Sequence, residues 1–142
     1  MTMPFLGEER SEQQYPWEGL RAAGARLAGG SDWPVSAPDP LQQMHVGVNR
    51  SAPPGYTYAD DGATEPFLPS QRLTLEAAVR AFTAGSAYVN HLDDTGSIRV
   101  GNLADLVVLD RDPFANPPEE IGEARVLMTF VDGAQVYEAA GA

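Results

Sequence analysis

The sequence predicts an α/β unit followed by a β-rich segment, and three observations carry that prediction. A short helix, a turn and a strand follow one another between Pro16 and Ser31, which is half of an α/β unit. A helix with an apolar stripe begins near Thr74. Beyond Ala104 the pattern becomes strand-like, and Asp132-Gly133 joins two strands in a hairpin. The 142 residues have room for one domain with a core, and hardly for two.

The first predicted elements follow a polar connector over residues 1–15. Pro16 suits the first position of a helix, and Gly24 is a natural left-handed stop. The small-residue run Arg26–Ser31 is predicted to be a strand, which Trp33-Pro34 ends because proline cannot donate to a ladder. Glycine inside a strand is costly unless another group approaches the backbone closely, so we expect this strand to be crowded.

A proline-rich segment, Ser36–Ser70, separates this unit from the second helix. Only Leu41–Val48 could form a helical turn or two, so we predict a long loop that is functional or mobile. The second helix is predicted to begin with Thr74 as its N-cap and to end at Gly85. Its apolar stripe at helical spacing consists of Leu75, Ala78, Val79 and Phe82.

The last third of the chain is predicted to be mainly β. The run Ala104–Asp110 is continuously apolar inside, as in a strand that is covered on both faces. Arg125–Val131 and Ala134–Glu138 flank the Asp-Gly pair as the two arms of a hairpin. Between the first strand and the hairpin, Pro118–Ile121 could form one helical turn.

Composition excludes several function classes. Twenty acidic residues stand against nine basic ones, all of them Arg, and the net charge of −11 disfavours binding to nucleic acid or to an anionic membrane surface. No apolar run approaches the roughly 20 residues of a membrane span. The absence of Cys excludes disulfides, thiolate metal sites and Cys nucleophiles, and it fits a cytoplasmic protein.

Few residues are available for catalysis. His45 lies in the proline-rich segment and His91 after the second helix, without the spacing of a zinc site, which needs about three protein ligands. Each His is therefore expected to be an ordinary surface or loop residue. The carboxylate pairs Asp60-Asp61 and Asp93-Asp94 lack calcium-loop spacing and are expected to be solvated loop charges.

Asp32 stands apart because it follows the carboxyl end of the predicted strand. In α/β barrels this is where catalytic groups are placed. A turn Asp whose side chain accepts from nearby backbone N–H groups would occupy the same position. From position alone, both interpretations stay open.

Four motifs resemble the amidohydrolase superfamily, in the branch usually called amidohydrolase family 3, and they occur in that family's order. Leu27–Val35 resembles the strand-8 signature, and Leu73–Ala87 the helix after it. Gly96–Asp110 resembles the return into the family's small β domain, and Thr129–Tyr137 its closing hairpin. The resemblance covers the chain from about Tyr15 to Glu138.

This resemblance implies the last strand–helix units of a metal-dependent (β/α)8 barrel together with the C-terminal strands of its small β-sandwich domain. The barrel piece would occupy residues 16–90, and residues 91–142 would form part of the composite sandwich. The chain would then correspond to about the last quarter of such an enzyme. A strand without its barrel neighbours exposes two edges, so we expect a homo-oligomer.

Asp32 matches the family's strand-8 Asp, which binds or faces the metal and helps to activate the attacking water. The resemblance implies a divalent metal, with zinc as the expected ion, in the intact enzyme. This chain alone is expected to bind none, because the family's other ligands have no counterpart in it. Tyr56, Tyr58 and Phe67 are candidates for contact with a small apolar substrate, although they could instead pack the loop onto its own body.

The resulting hypothesis is a C-terminal fragment or domain of a metal-dependent amidohydrolase that hydrolyses amide- or formamide-type C–N bonds, with the fragment alone inactive. The alternative is a non-catalytic interaction module derived from a decayed amidohydrolase. Assembly with a separately encoded barrel half is a third arrangement.

Overall fold

The structure is a computed structural model that describes residues 3–58 and 64–141, so Asp60-Asp61 lie outside the described residues. Six α-helical segments precede a sheet of three strands. The helices are α1 (Met3–Leu6), α2 (Glu8–Ser11), α3 (Trp17–Ala22), α4 (Pro40–Asn49), α5 (Leu75–Arg80) and α6 (Ser86–Val89), and the strands are β1 (Leu106–Leu109), β2 (Val126–Val131) and β3 (Ala134–Glu138). Two 3₁₀ turns (Pro69–Gln71 and Pro118–Glu123) and a π-helical turn (Ala81–Gly85) complete the elements. The polar connector predicted over residues 1–15 thus contains the short helices α1 and α2.

The predicted first helix is confirmed as α3, and Gly24 after it has the left-handed φ of +91°. The predicted strand Arg26–Ser31 is wrong, because residues 25–32 belong to no ladder. This segment instead runs extended against the second helix, where the Gly29 N–H donates to the Ala81 carbonyl at 2.9 Å. A strand requires a paired neighbour, and the described part of the chain offers this segment a helix instead.

Crowding around this extended segment is confirmed. A Cβ added at Gly29 would overlap the Phe82 ring, and one added at Gly85 would overlap the Leu27 carbonyl. The Ser86 hydroxyl also donates to the Gly29 carbonyl at 2.9 Å. The glycines on both sides of this contact therefore allow two backbones to lie closer than side chains would permit.

Within the long loop predicted over Ser36–Ser70, the helical turns allowed at Leu41–Val48 are confirmed as α4, which extends to ten residues. Pro40 begins the helix, and the Asp39 side chain caps it by accepting from the Leu41 N–H at 2.8 Å. The core of the fold lies on this helix. Its buried members are Met44 and Val48 from α4, Ala78 from α5 and Ile121 from the 3₁₀ turn Pro118–Glu123.

The second predicted helix begins as expected, since the Thr74 hydroxyl accepts from the Ala77 N–H at 3.2 Å. Its predicted end at Gly85 is wrong. Gly85 has an ordinary helical φ of −69°, and the helix continues through the π-helical turn into α6. We call α5, this turn and α6 the composite helix (residues 75–89). Gly85 serves the close approach of the Leu27 carbonyl and does not end the helix.

The predicted hairpin is confirmed. The sheet has the order β1-β2-β3 with both pairs antiparallel, and Asp132 and Gly133 at the turn have φ values of +49° and +77°. The prediction that the first strand is covered on both faces is wrong for this chain. Three consecutive residues of β1 (Leu106, Val107 and Val108) are 37–56% exposed. Because successive side chains of a strand point to opposite faces, both faces of β1 are exposed.

Candidate functional site

Asp32 lies in a tight turn at the end of the extended segment, with a left-handed φ of +54°. The Ser31 hydroxyl oxygen accepts from the Trp33 N–H at 3.2 Å, and the Asp32 carbonyl accepts from the Val35 N–H at 2.9 Å. The Ser36 hydroxyl donates to the Ser31 carbonyl. The turn is therefore held by backbone groups and by two serine hydroxyls.

The carboxylate of Asp32 takes no part in these contacts. Asp32 is exposed, and no hydrogen bond or ion pair of its side chain occurs within residues 3–58 and 64–141. A turn Asp of the kind considered above would bond through its side chain to nearby N–H groups. Here the carboxylate is available to a ligand, and its catalytic role stays a prediction.

The described residues do not by themselves fit a catalytic metal. A catalytic zinc takes about three protein ligands and a water. No group of three or more His, Asp or Glu side chains that could hold an ion occurs in the described ranges. Asp32 would contribute a single carboxylate, so any metal at this position needs ligands from outside the described part of the chain.

His45 is a core residue, which corrects the prediction of an ordinary surface or loop histidine. It lies on α4 and is 3% exposed. Gly122 packs against it so closely that a Cβ added to Gly122 would lie 3.3 Å from the Nδ1 of His45. Burial lowers the pKa of His45, and the backbone of Glu119 and the carboxylates of Glu119 and Glu123 only partly oppose that shift. His91 fits the prediction: it is exposed after the end of α6.

The three aromatic candidates of the proline-rich segment do not share one environment. Tyr56 is half-buried, and its hydroxyl oxygen accepts from the Ala37 N–H at 3.2 Å and lies 3.3 Å from Gln43 Nε2. It therefore packs its loop onto the body of the protein. Tyr58 is 47% exposed, with its ring centre 5.9 Å from that of Tyr56. Its exposure leaves it free for contact with a substrate.

Phe67, the third aromatic candidate, contacts Arg50, a residue that the sequence analysis did not single out. Arg50 is 5% exposed, and its Nε donates to the Phe67 carbonyl at 2.9 Å. Its guanidinium lies 4.3 Å from the centre of the Trp17 ring, and burial lowers its pKa. Arg50 thus ties α3, α4 and the Phe67 loop together. A single Arg after a helix carries no motif from which this role could be predicted.

The family of the chain follows from comparison with known proteins. A sequence model described as "Amidohydrolase family" matches residues 1–137, which is nearly the whole chain. The chain therefore belongs to the amidohydrolase family, as the four motifs between Leu27 and Tyr137 predicted.

Relatives and a solved structure agree with this assignment. The chain is 35% identical over 134 residues to Protein LONG AFTER FAR-RED 3 of Arabidopsis thaliana. The matched region covers 93% of this chain and 21% of the plant protein. It is 33% identical over 128 residues to the N-substituted formamide deformylase of Arthrobacter pascens, covering 89% of this chain and 22% of the enzyme. The chain thus spans about a fifth of the length of these relatives.

The fold is also similar to that of a larger solved protein. The crystal structure of an amidohydrolase from Thermotoga maritima MSB8 superposes with a TM-score of 0.60 and 21% sequence identity. The match covers 88% of this chain and 26% of the other. This likeness concerns the fold alone.

None of the helices within the described ranges is long and apolar enough to cross a membrane.

Proposed function

We propose that this chain is the C-terminal part of a metal-dependent amidohydrolase that hydrolyses amide- or formamide-type C–N bonds of a small molecule, and that the chain alone is inactive. The observation that carries the proposal is Asp32. It presents a carboxylate without a partner in the described structure, at the end of an extended segment and in a chain of the amidohydrolase family. The relative named as an N-substituted formamide deformylase supports the formamide class of substrate.

The extended segment before Asp32 supports an origin in a larger barrel. One of its faces lies against the composite helix, through Gly29 and the crowded approach of Leu27 to Gly85. Arg26, Leu27, Ala28 and Gly30 form no backbone–backbone hydrogen bond within the described residues. Apart from the Leu27 carbonyl, which lies against Gly85, their N–H and C=O groups are free to pair with neighbouring strands, which is how a strand of a closed barrel satisfies them.

The sheet supports the same conclusion for the second half of the chain. The side chains of β1 are apolar and leave both faces of the strand exposed. Burying a Val or Leu side chain fully contributes about 1.5–3 kcal/mol, so a second sheet laid on this one would gain substantial stability. A composite sandwich completed by strands of a longer protein provides that cover.

The role proposed for Asp32 is that of a proton acceptor and single metal ligand at the barrel mouth. A carboxylate in hydrogen-bond reach of the attacking water accepts its proton and can return it to the leaving nitrogen. A divalent metal, zinc being the candidate, would lower the pKa of that water when bound. Its further ligands would come from outside the described residues. Among the three aromatic candidates, Tyr58 is the exposed one, and it is therefore proposed to contact a small apolar substrate.

We further propose that the isolated chain self-associates through its uncovered strand edges and β1 surface, and that the protein is cytoplasmic, in keeping with the absence of Cys.

Hydrolysis assays test the proposed activity. The 142-residue chain and the longest product of its reading frame are assayed with N-substituted formamides and simple amides, with zinc added. We expect turnover by the longer product and none by the chain alone. Turnover by the chain alone would contradict the proposed inactivity. A frame that adds no residues before Met1, together with no turnover, would favour the non-catalytic module.

A further inference from the structure

One cleft gathers an unusual share of the positive charge of this acidic chain. It has a volume of about 450 Å³ and lies between the segment after α3, the composite helix and the loop after α6. Four of the nine arginines line it, namely Arg21, Arg26, Arg80 and Arg99. Among the described residues, Asp93 is the one carboxylate in its lining.

Two of these arginines are already engaged. Arg21 pairs with Glu18 at 2.6 Å, and Arg80 pairs with Glu76 at 3.2 Å. Both pairs join residues three or four apart on exposed helix surfaces, which is the usual setting of a weak surface ion pair. They leave the positive character of the cleft mainly to the other two arginines.

Arg26 and Arg99 form no ion pair within the described residues. The Arg26 guanidinium carbon lies 3.8 Å from the centre of the Tyr88 ring, which is a cation–π contact. Such a contact does not use the N–H donors at the edge of the guanidinium. Arg26 therefore contacts the ring, and its donors form no hydrogen bond within the described residues.

Neutral donors accompany these cations. Thr95 and Ser97 line the cleft. The Ser97 hydroxyl oxygen accepts from Asn102 Nδ2 at 3.1 Å, which leaves its own hydroxyl proton available. Asp93 opposes an anion, but it is outnumbered by the donors that surround it.

We propose that this cleft is a binding site for a small molecule that carries phosphate groups. The planar guanidinium fork matches the geometry of phosphate oxygens and bonds them in bidentate fashion. The net charge of −11 does not prevent this, because at physiological salt the field of distant charges is screened beyond about 8 Å. Outside the two ion pairs, the cations Arg26 and Arg99 outnumber the single carboxylate, Asp93, among the residues that line the cleft.

Titration calorimetry of the 142-residue chain with inorganic pyrophosphate tests the site. The variants Arg26→Ala and Arg99→Ala remove the two unpaired cations, and Arg72→Ala removes an exposed arginine that does not line the cleft. We expect saturable binding, a loss of affinity of about tenfold or more in each cleft variant, and unchanged affinity in Arg72→Ala. Thermal melts of all three variants check that each remains folded.

A second titration distinguishes two sources of this chemistry. Tighter binding of ADP than of pyrophosphate would identify a nucleotide, and equal binding would identify the diphosphate group alone. No saturable binding of either probe, or an equal loss of affinity in Arg72→Ala and in the cleft variants, would overturn the proposal.

Discussion

The contact between the extended segment and the composite helix can be tested by giving Gly85 a methyl group. In an ordinary helix interior, replacing Gly by Ala stabilises the protein by about 1 kcal/mol. At Gly85 the new Cβ would overlap the Leu27 carbonyl, which is backbone and cannot rotate away. The segment that positions Asp32 would have to move from the helix.

The expected cost of Gly85→Ala follows from these contacts. Overpacking of this kind costs about 1–3 kcal/mol. Displacing the segment also weakens the hydrogen bonds of Gly29 to Ala81 and Ser86, each worth about 0.5–1.5 kcal/mol. After the gain in helix propensity, we expect a net loss of roughly 1–5 kcal/mol in the free energy of unfolding.

Urea unfolding followed by circular dichroism measures this loss, and Gly47→Ala is the matched control. Gly47 also lies inside a helix, but a Cβ there would meet Leu73 Cδ1 at an ordinary distance of 3.7 Å. We expect Gly47→Ala to leave stability unchanged or to raise it by up to about 1 kcal/mol. Equal unfolding midpoints for Gly85→Ala and the unaltered chain would refute the close contact.

Three further predictions concern the core, its titration and association. Burial lowers the pKa of His45 in the folded protein, so the unfolded chain binds the imidazole proton more tightly. The stability that neutral His45 contributes is fully present above the ordinary pKa of about 6.5, and it is lost as the pH falls through the lower pKa of the folded protein. Urea unfolding at several pH values should show a shallower acid loss in His45→Gln, and an unchanged slope would contradict this. Ile121→Ala, at a side chain 2% exposed, should cost about 2–5 kcal/mol in the same assay, and a loss below 1 kcal/mol would contradict the placement of the core. Light scattering at micromolar concentration should report a dimer or larger species that Val107→Lys shifts towards monomer, whereas a monomeric mass for the unaltered chain would contradict self-association.

Local signals in the sequence predicted the elements whose causes are local. Thr74 caps its helix through its own hydroxyl, and the Asp132-Gly133 pair adopts the positive φ values that a tight hairpin requires. The crowding around Gly29 was also predictable, since glycine within an extended run indicates close approach.

The sequence did not correctly predict the features that depend on distant partners. The strand expected at Arg26–Ser31 needs neighbours that the described chain does not provide, and the covering expected for β1 is missing for the same reason. The helical turns of α4 were allowed for at Leu41–Val48, but its place in the core was not predicted, because that place depends on contact with the distant Ile121. The buried positions of His45 and Arg50 arise from this packing, which no local pattern encodes.

Four motifs predicted membership of the amidohydrolase family, and the first of them contains the turn at Asp32. The proposed role of the Asp32 carboxylate requires a metal and ligands from outside the described residues. Substitution of this side chain in the longer protein is therefore the critical test.

The most direct measurement is the turnover number of the longest product of the reading frame, with Asp32→Asn compared with Asp94→Asn. Both residues are exposed loop aspartates, so the two changes remove equal charge. We expect Asp32→Asn to lower kcat by about a hundredfold or more, the usual contribution of a positioned acid–base group, while Asp94→Asn leaves kcat unchanged. Full activity in Asp32→Asn, or an equal loss in both variants, would contradict a catalytic role for Asp32.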